Sequence, residues 1–176
     1  LPPWPMTSRG LDVLLLATDR LENDTAGMAM LRSWVRDGGR LWIALDAVAP
    51  ETVEAILGHD SGIEVVDRVE IDRFTVETRD RENGVERTDE IDLEVPVDMV
   101  RVVTSHADVP SRVEGWPAAI WVPCGQGDVL ITTIGPRGLV QPDGVTATGA
   151  TATLATRLLA GRPDRLDVAR LQGGLE

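Results

Sequence analysis

Two aspartates, a histidine and an arginine are the residues whose chemistry and spacing invite a site. Asp19 and Asp46 each follow an apolar run, residues 11–17 and 41–45. Read as neighbouring strands, these runs place both carboxylates just beyond strand carboxyl ends, the edge at which open α/β sheets bind ligands. Paired carboxylates there suit acid–base work or a hard cation. The structural alternative is a turn or helix-capping role, common for aspartate after a strand. His106, in Thr104-Ser105-His106-Ala107-Asp108, follows a later strand and can join the pair, or stand as an ordinary solvated loop histidine. Arg137, in Gly135-Pro136-Arg137-Gly138 after the strand ending at Ile134, is the best-placed cation for an anionic ligand. Asp19, Asp46, His106 and Arg137 are therefore the expected ligand-binding residues.

No catalytic residue is assigned. Cys124 is the single cysteine and sits in Pro123-Cys124-Gly125-Gln126-Gly127, a sequence that reads as a hairpin turn. Such a turn points no helix N-terminus at the sulfur and supplies no oxyanion hole beside it. No serine lies in a Gly-x-Ser-x-Gly elbow, and no glycine-rich phosphate loop is present. The acidic stretch at residues 80–84 lacks the ligand spacing of a calcium loop. The tryptophans at 34, 42 and 121 fall in helix or strand patterns, where core packing explains them better than a sugar platform. The expectation is a chain with no cofactor and no metal.

The elements that position these residues are legible. Residues 11–17 form a nearly unbroken apolar run, as in a strand covered on both faces. Asn23-Asp24-Thr25 supplies capping oxygens, and Met28, Leu31 and Val35 then recur at helical spacing. Asp37-Gly38-Gly39 closes that helix, and residues 41–45 make the next strand. Strand, helix and strand predict a βαβ unit with parallel strands. A second helix runs over 50–57, with proline in its first turn and Gly58 behind it. From residue 69 to 95 the period becomes two, with a phase slip at Asp72-Arg73 that predicts a bulge or bend and Asn83-Gly84 as a hairpin turn. Strands follow at 99–103, 118–123 and 129–134, the last two joined by a tight turn at 124–128. A weaker helix is expected over about 146–160, with Ala147, Ala150, Leu154 and Leu158 on one face.

Composition narrows the partners. Net charge is −12, from 29 acidic residues against 17 basic ones that are all arginine. Residues 64–98 alone hold 13 acidic residues and 5 arginines, so most of the imbalance lies on one hairpin. Nucleic acid is excluded as a partner by the want of a basic cluster. One cysteine excludes an internal disulfide. No apolar run reaches the ~20 residues of a membrane-spanning helix. The expected organisation is one α/β domain over 1–162, with an acidic β-rich insertion at about 63–98. A polar tail at 163–176 ends in Leu175-Glu176, read as a tag junction, and the whole as a soluble segment of a longer protein.

The opening Leu1-Pro2-Pro3-Trp4-Pro5, the first strand, the helix exit Trp34-Val35-Arg36-Asp37-Gly38-Gly39-Arg40-Leu41 and the turn Gly125-Gln126-Gly127-Asp128-Val129 form a set. Together they resemble the glutamine-amidotransferase-like domains of large bacterial membrane proteins. The resemblance implies a flavodoxin-like three-layer sandwich with a mostly parallel sheet, flanking transmembrane segments and an extracytoplasmic location. Active members carry a cysteine on a strand-to-helix turn with a later histidine and glutamate. Here both histidines precede Cys124, so no catalytic residue carries over. The expected function is a non-catalytic interaction or ligand-sensing domain that meets an unidentified protein or small molecule. The alternative is a hydrolase or amidotransferase relative with a relocated site.

Overall fold

A computed structural model describes residues 13–58, 61–79, 84, 86–105 and 107–134. His106, Arg137 and the helix expected over 146–160 lie outside the described residues. The described chain runs β1 (Val13–Leu16), a short 3-10 turn (Asp19–Leu21), α1 (Thr25–Arg36), β2 (Arg40–Ala44), α2 (Pro50–Leu57), β3 (Ile63–Arg79), β4 (Glu86–Thr104), β5 (Asp108–Val113), β6 (Trp116–Cys124) and β7 (Gly127–Thr132).

Local chemistry sets the first half. Asp24 caps α1 by accepting from Gly27 N–H at 2.8 Å, which satisfies one of the free donors of the first turn. Gly38, at φ +109°, reverses the chain after α1. The returning Gly39 lies flat against the indole of Trp34, where a Cβ would meet the ring at 2.5 Å. Pro50 opens α2, where its missing N–H costs no helical hydrogen bond.

All seven strands form one sheet in the order β1-β2-β7-β6-β5-β3-β4. β1, β2 and β7 are parallel, and every other pairing is antiparallel. The long β3–β4 hairpin bends in the middle. Ile71 pairs with Val97 but Arg73 pairs with Asp92, so residues 93–96 of β4 stand against Asp72 alone. Pro96 suits such an unpaired stretch because it has no N–H to lose. The bend carries the base of the hairpin around until Val100 N–H donates to Thr133 O at 2.9 Å and Met99 bridges Ile134. The sheet thereby curls into a half-barrel.

Two cores result, one on each face. Leu41, Ile43, Val129 and Ile131 pack under α1 and α2 with Val35, Val53 and Ile56. Leu130, Ala119 and Trp121 point the other way and are covered by Phe74, Val76, Ile91 and Met99 of the curled hairpin. The flavodoxin-like three-layer sandwich expected from sequence is therefore incorrect. Of the described residues, 59% are strand and 21% helix, in a mixed and curled sheet. The physical reason is that the second face of β2 and β7 is buried by the folded-back hairpin, whose apolar phase fits that task. The hairpin joins the rest of the sheet through the pairing of β3 with β5 and the bridge from β4 to Ile134.

Candidate functional site

The carboxyl edge of the parallel strands brings Asp19 and Asp46 to one side of the sheet. Asp19 opens the 3-10 turn after β1, and its Oδ1 accepts from Ala49 N–H at 2.6 Å. Ala49 immediately precedes α2, so Asp19 ties the first crossover to the start of the second helix. Its carboxylate is engaged in a structural contact.

Asp46, in the loop after β2, is placed differently. Its Oδ1 is buried and has no hydrogen-bond partner. Burial raises its pKa above the ordinary carboxyl value, and the charge of Asp98 adds to the rise. The backbone N–H groups of Asp46 and Ala47, and the charge of Arg68, oppose it. Arg68 does not bind the carboxylate. Its guanidinium donates to Asp46 O at 2.7 Å and to Leu45 O at 3.4 Å, satisfying main-chain acceptors that the end of β2 leaves open. Asp46, Arg68 and Asp98 therefore form one polar cluster where the base of the β3–β4 hairpin meets the carboxyl end of β2.

Arg68 and Asp98 were not among the residues expected from sequence. β3 shifts register between Val65 and Asp67, which moves Arg68 into pairing with the inward-facing Val100. The adjacent apolar pair Val65-Val66 in an otherwise alternating strand is the signal that could have revealed this.

Cys124 lies at the opposite end of the strands. It pairs with Gly127 at the start of β7, whereas Asp46 follows the strand that ends beside Thr132. The six residues of β7 separate them by about 20 Å at ~3.3 Å per residue. Cys124 is 7% exposed, within the core beneath α1. Its turn packs on the end of that helix, with Gln126 N–H donating to Arg36 O at 2.9 Å. Asp19, Asp46 and Cys124 accordingly share no site. No group of three or more metal-ligating side chains occurs among the described residues.

On the other face, Arg101 pairs with Asp67 through two hydrogen bonds and lies over the Trp116 ring, 5.0 Å from its centroid. The bonds from Arg101 hold the Asp67 carboxyl below its usual range. This cluster braces the β3–β4 base against the β5–β6 turn.

No protein-family model and no curated protein matches the chain. Solved structures do. A cytoplasmic protein from Salmonella typhimurium LT2 superposes with a TM-score of 0.50 at 13% identity, over 71% of this chain and 61% of that one. A β-galactosidase from Bacillus circulans superposes at 0.49 with 10% identity, over 71% of this chain and 19% of the enzyme. A further β-galactosidase, from G. stearothermophilus, gives 0.47 at 17% identity, over 70% and 19%. The chain thus spans less than two thirds of each. The likeness to the Salmonella protein concerns the fold alone, and the resemblance to glutamine-amidotransferase-like domains is set aside, because no family model supports it and the sheet is mixed and curled. No helix of the described residues is long and apolar enough to cross a membrane.

Proposed function

We propose that this chain is a non-catalytic ligand-sensing or interaction domain whose binding edge is centred on Asp46. The observation that carries the reading is the buried, unpartnered Asp46 Oδ1 at the carboxyl end of β2. A buried acceptor without a donor costs about 1–3 kcal/mol, and such groups in folded proteins call for an explanation beyond packing. A ligand that presents a hydrogen-bond donor, such as an amine or guanidine, would satisfy it. Arg68 is held by the backbone and Asp98 adds negative charge, so the edge favours a cationic donor over an anion. In this reading the domain belongs to a larger bacterial protein, lies outside the cytoplasm and adjoins membrane-spanning segments carried elsewhere in that protein.

The test is amide chemical-shift mapping with methylguanidine, ethanolamine and butylamine. Binding at the edge shifts the amides of residues 45–47, Arg68 and Asp98, and Asp46→Asn abolishes those shifts. The reading fails if none of the three compounds perturbs these amides, or if the variant responds as the parent does.

A further inference from the structure

We infer that the cleft between α1 and α2 binds a small zwitterion, a molecule with an amine at one end, a carboxylate at the other and an aliphatic stem between them. The cleft has a volume of about 700 Å³, within the range of small-molecule sites. It lies on the outer helical layer and none of Asp46, Arg68 and Asp98 lines it, so this inference goes beyond the function proposed above.

Two buried polar atoms in its lining have no partner. Thr52 is 2% exposed and its Oγ1 makes no hydrogen bond. A threonine hydroxyl in a helix can bond back to the preceding turn, and here it does not. Arg32 Nε, across the cleft on α1, is likewise buried and unpartnered. An unsatisfied hydroxyl and an unsatisfied guanidinium N–H on residues that line one cleft leave hydrogen-bonding capacity there that the protein's own packing does not use.

The charges along the cleft are segregated. Glu22, just before α1, and Glu51, in the first turn of α2, lie where both helices begin. Arg32 and Arg36 follow in the last two turns of α1, one helical turn apart, with Asp37 bordering the same end. From Thr25 to Arg32 the helix rises about 10 Å at 1.5 Å per residue. The middle of the cleft is lined by Met28 and Ala55. A carboxylate meets its donors at Arg32 and Arg36, an amine meets its acceptors at Glu22 and Glu51, and the methylenes lie on the apolar centre. Thr52 Oγ1 supplies a further hydrogen bond. A simple anion is disfavoured by the glutamates and a simple cation by the arginines.

The experiment uses 6-aminohexanoate as the probe, with hexanoate and hexylamine as the two half-molecules. In thermal melts of the full chain, 6-aminohexanoate should raise Tm saturably with concentration. Each half-molecule should give less than a third of that shift. Thr52→Val should raise the Tm of the ligand-free protein, because it replaces an unsatisfied hydroxyl with a methyl of the same shape, and should weaken the probe about five-fold. Arg32→Gln should weaken it by a similar factor or more. The melts are run in the Asp46→Asn background, which removes amine binding at the carboxyl edge and so separates a failure here from a failure of that site. The inference is overturned by a non-saturable response, by equal responses to the half-molecules, or by a ligand-free Thr52→Val protein that melts below the parent.

Discussion

Replacing Asp46 with asparagine should make the protein more stable at neutral pH, an unusual outcome for a substitution at a buried polar group. The carboxylate is half-buried, one oxygen lacks a donor, and burial holds its pKa above the ordinary value. The folded state therefore binds the proton more tightly than the unfolded chain does. Stability is reduced when the group ionises, and the reduction is complete above the folded pKa and absent below the unfolded value of 3.8. Asparagine removes the charge and keeps an oxygen for the backbone N–H groups of Asp46 and Ala47. Desolvating the charged carboxylate costs more than desolvating the neutral amide, and partial exposure keeps the difference to about 1 kcal/mol. For a chain of this size that amounts to roughly 2–4 °C in Tm. Urea titration followed by tryptophan fluorescence, run at pH 7 and again near pH 4, measures both the gain and its loss on acidification. A variant that is less stable than the parent at pH 7 would refute the reasoning, because the carboxylate would then be holding the fold together. A gain that persists unchanged at pH 4 would refute the assignment to ionisation.

Other substitutions probe the frame around this edge. Gly127→Ala should destabilise by about 2–4 kcal/mol, since its Cβ would meet the backbone oxygens of Val35 and Gly39 and lift the β6–β7 turn off α1. Gly84→Ala, where a Cβ meets nothing within 4 Å, should cost only the strain of its φ of +67°, about 1 kcal/mol, and urea melts of the two variants check the contrast. Phe74→Ala should cost about 3–5 kcal/mol and unfold the whole sheet in one transition, seen as coincident fluorescence and far-UV circular dichroism curves. Cys124, buried in the core beneath α1, should react with a thiol reagent at neutral pH no faster than the fold opens, and labelling that outpaces unfolding would contradict its placement.

The segments whose chemistry is local were readable from the residues. The capped helix between two apolar runs, the proline-opened second helix, the slip at Asp72-Arg73 and the turn before β7 all appear where the spacing put them. The global arrangement was not readable. Nothing in the apolar run of β7 says that it inserts between β2 and β6, because a strand buried on both faces has the same composition whatever its neighbours are. The helix exit Trp34-Val35-x-x-Gly38-Gly39-x-Leu41 misled for a physical reason. It records an indole lying on a glycine and a positive-φ reversal, which any tight helix-to-strand return can use. At the site, the position of Asp19 and Asp46 at one edge was legible, while the bond from Ala49 N–H to Asp19 and the approach of Arg68 depend on contacts between distant segments.

The place of β7 in the sheet has a consequence for how the chain is made. β7 is the last of the seven strands to leave the ribosome, yet it lies near the middle, with Arg40 paired to Asp128 on one side and Trp121 to Leu130 on the other. Until it emerges, the nascent chain holds two separate pieces, β1–β2 with its helices and the β3–β6 ribbon, each with an open apolar edge. Joining them closes a long loop late, which makes folding slow for the size of the chain and concentrates its exposure to aggregation in the interval before residue 132 has left the ribosome and β7 has paired.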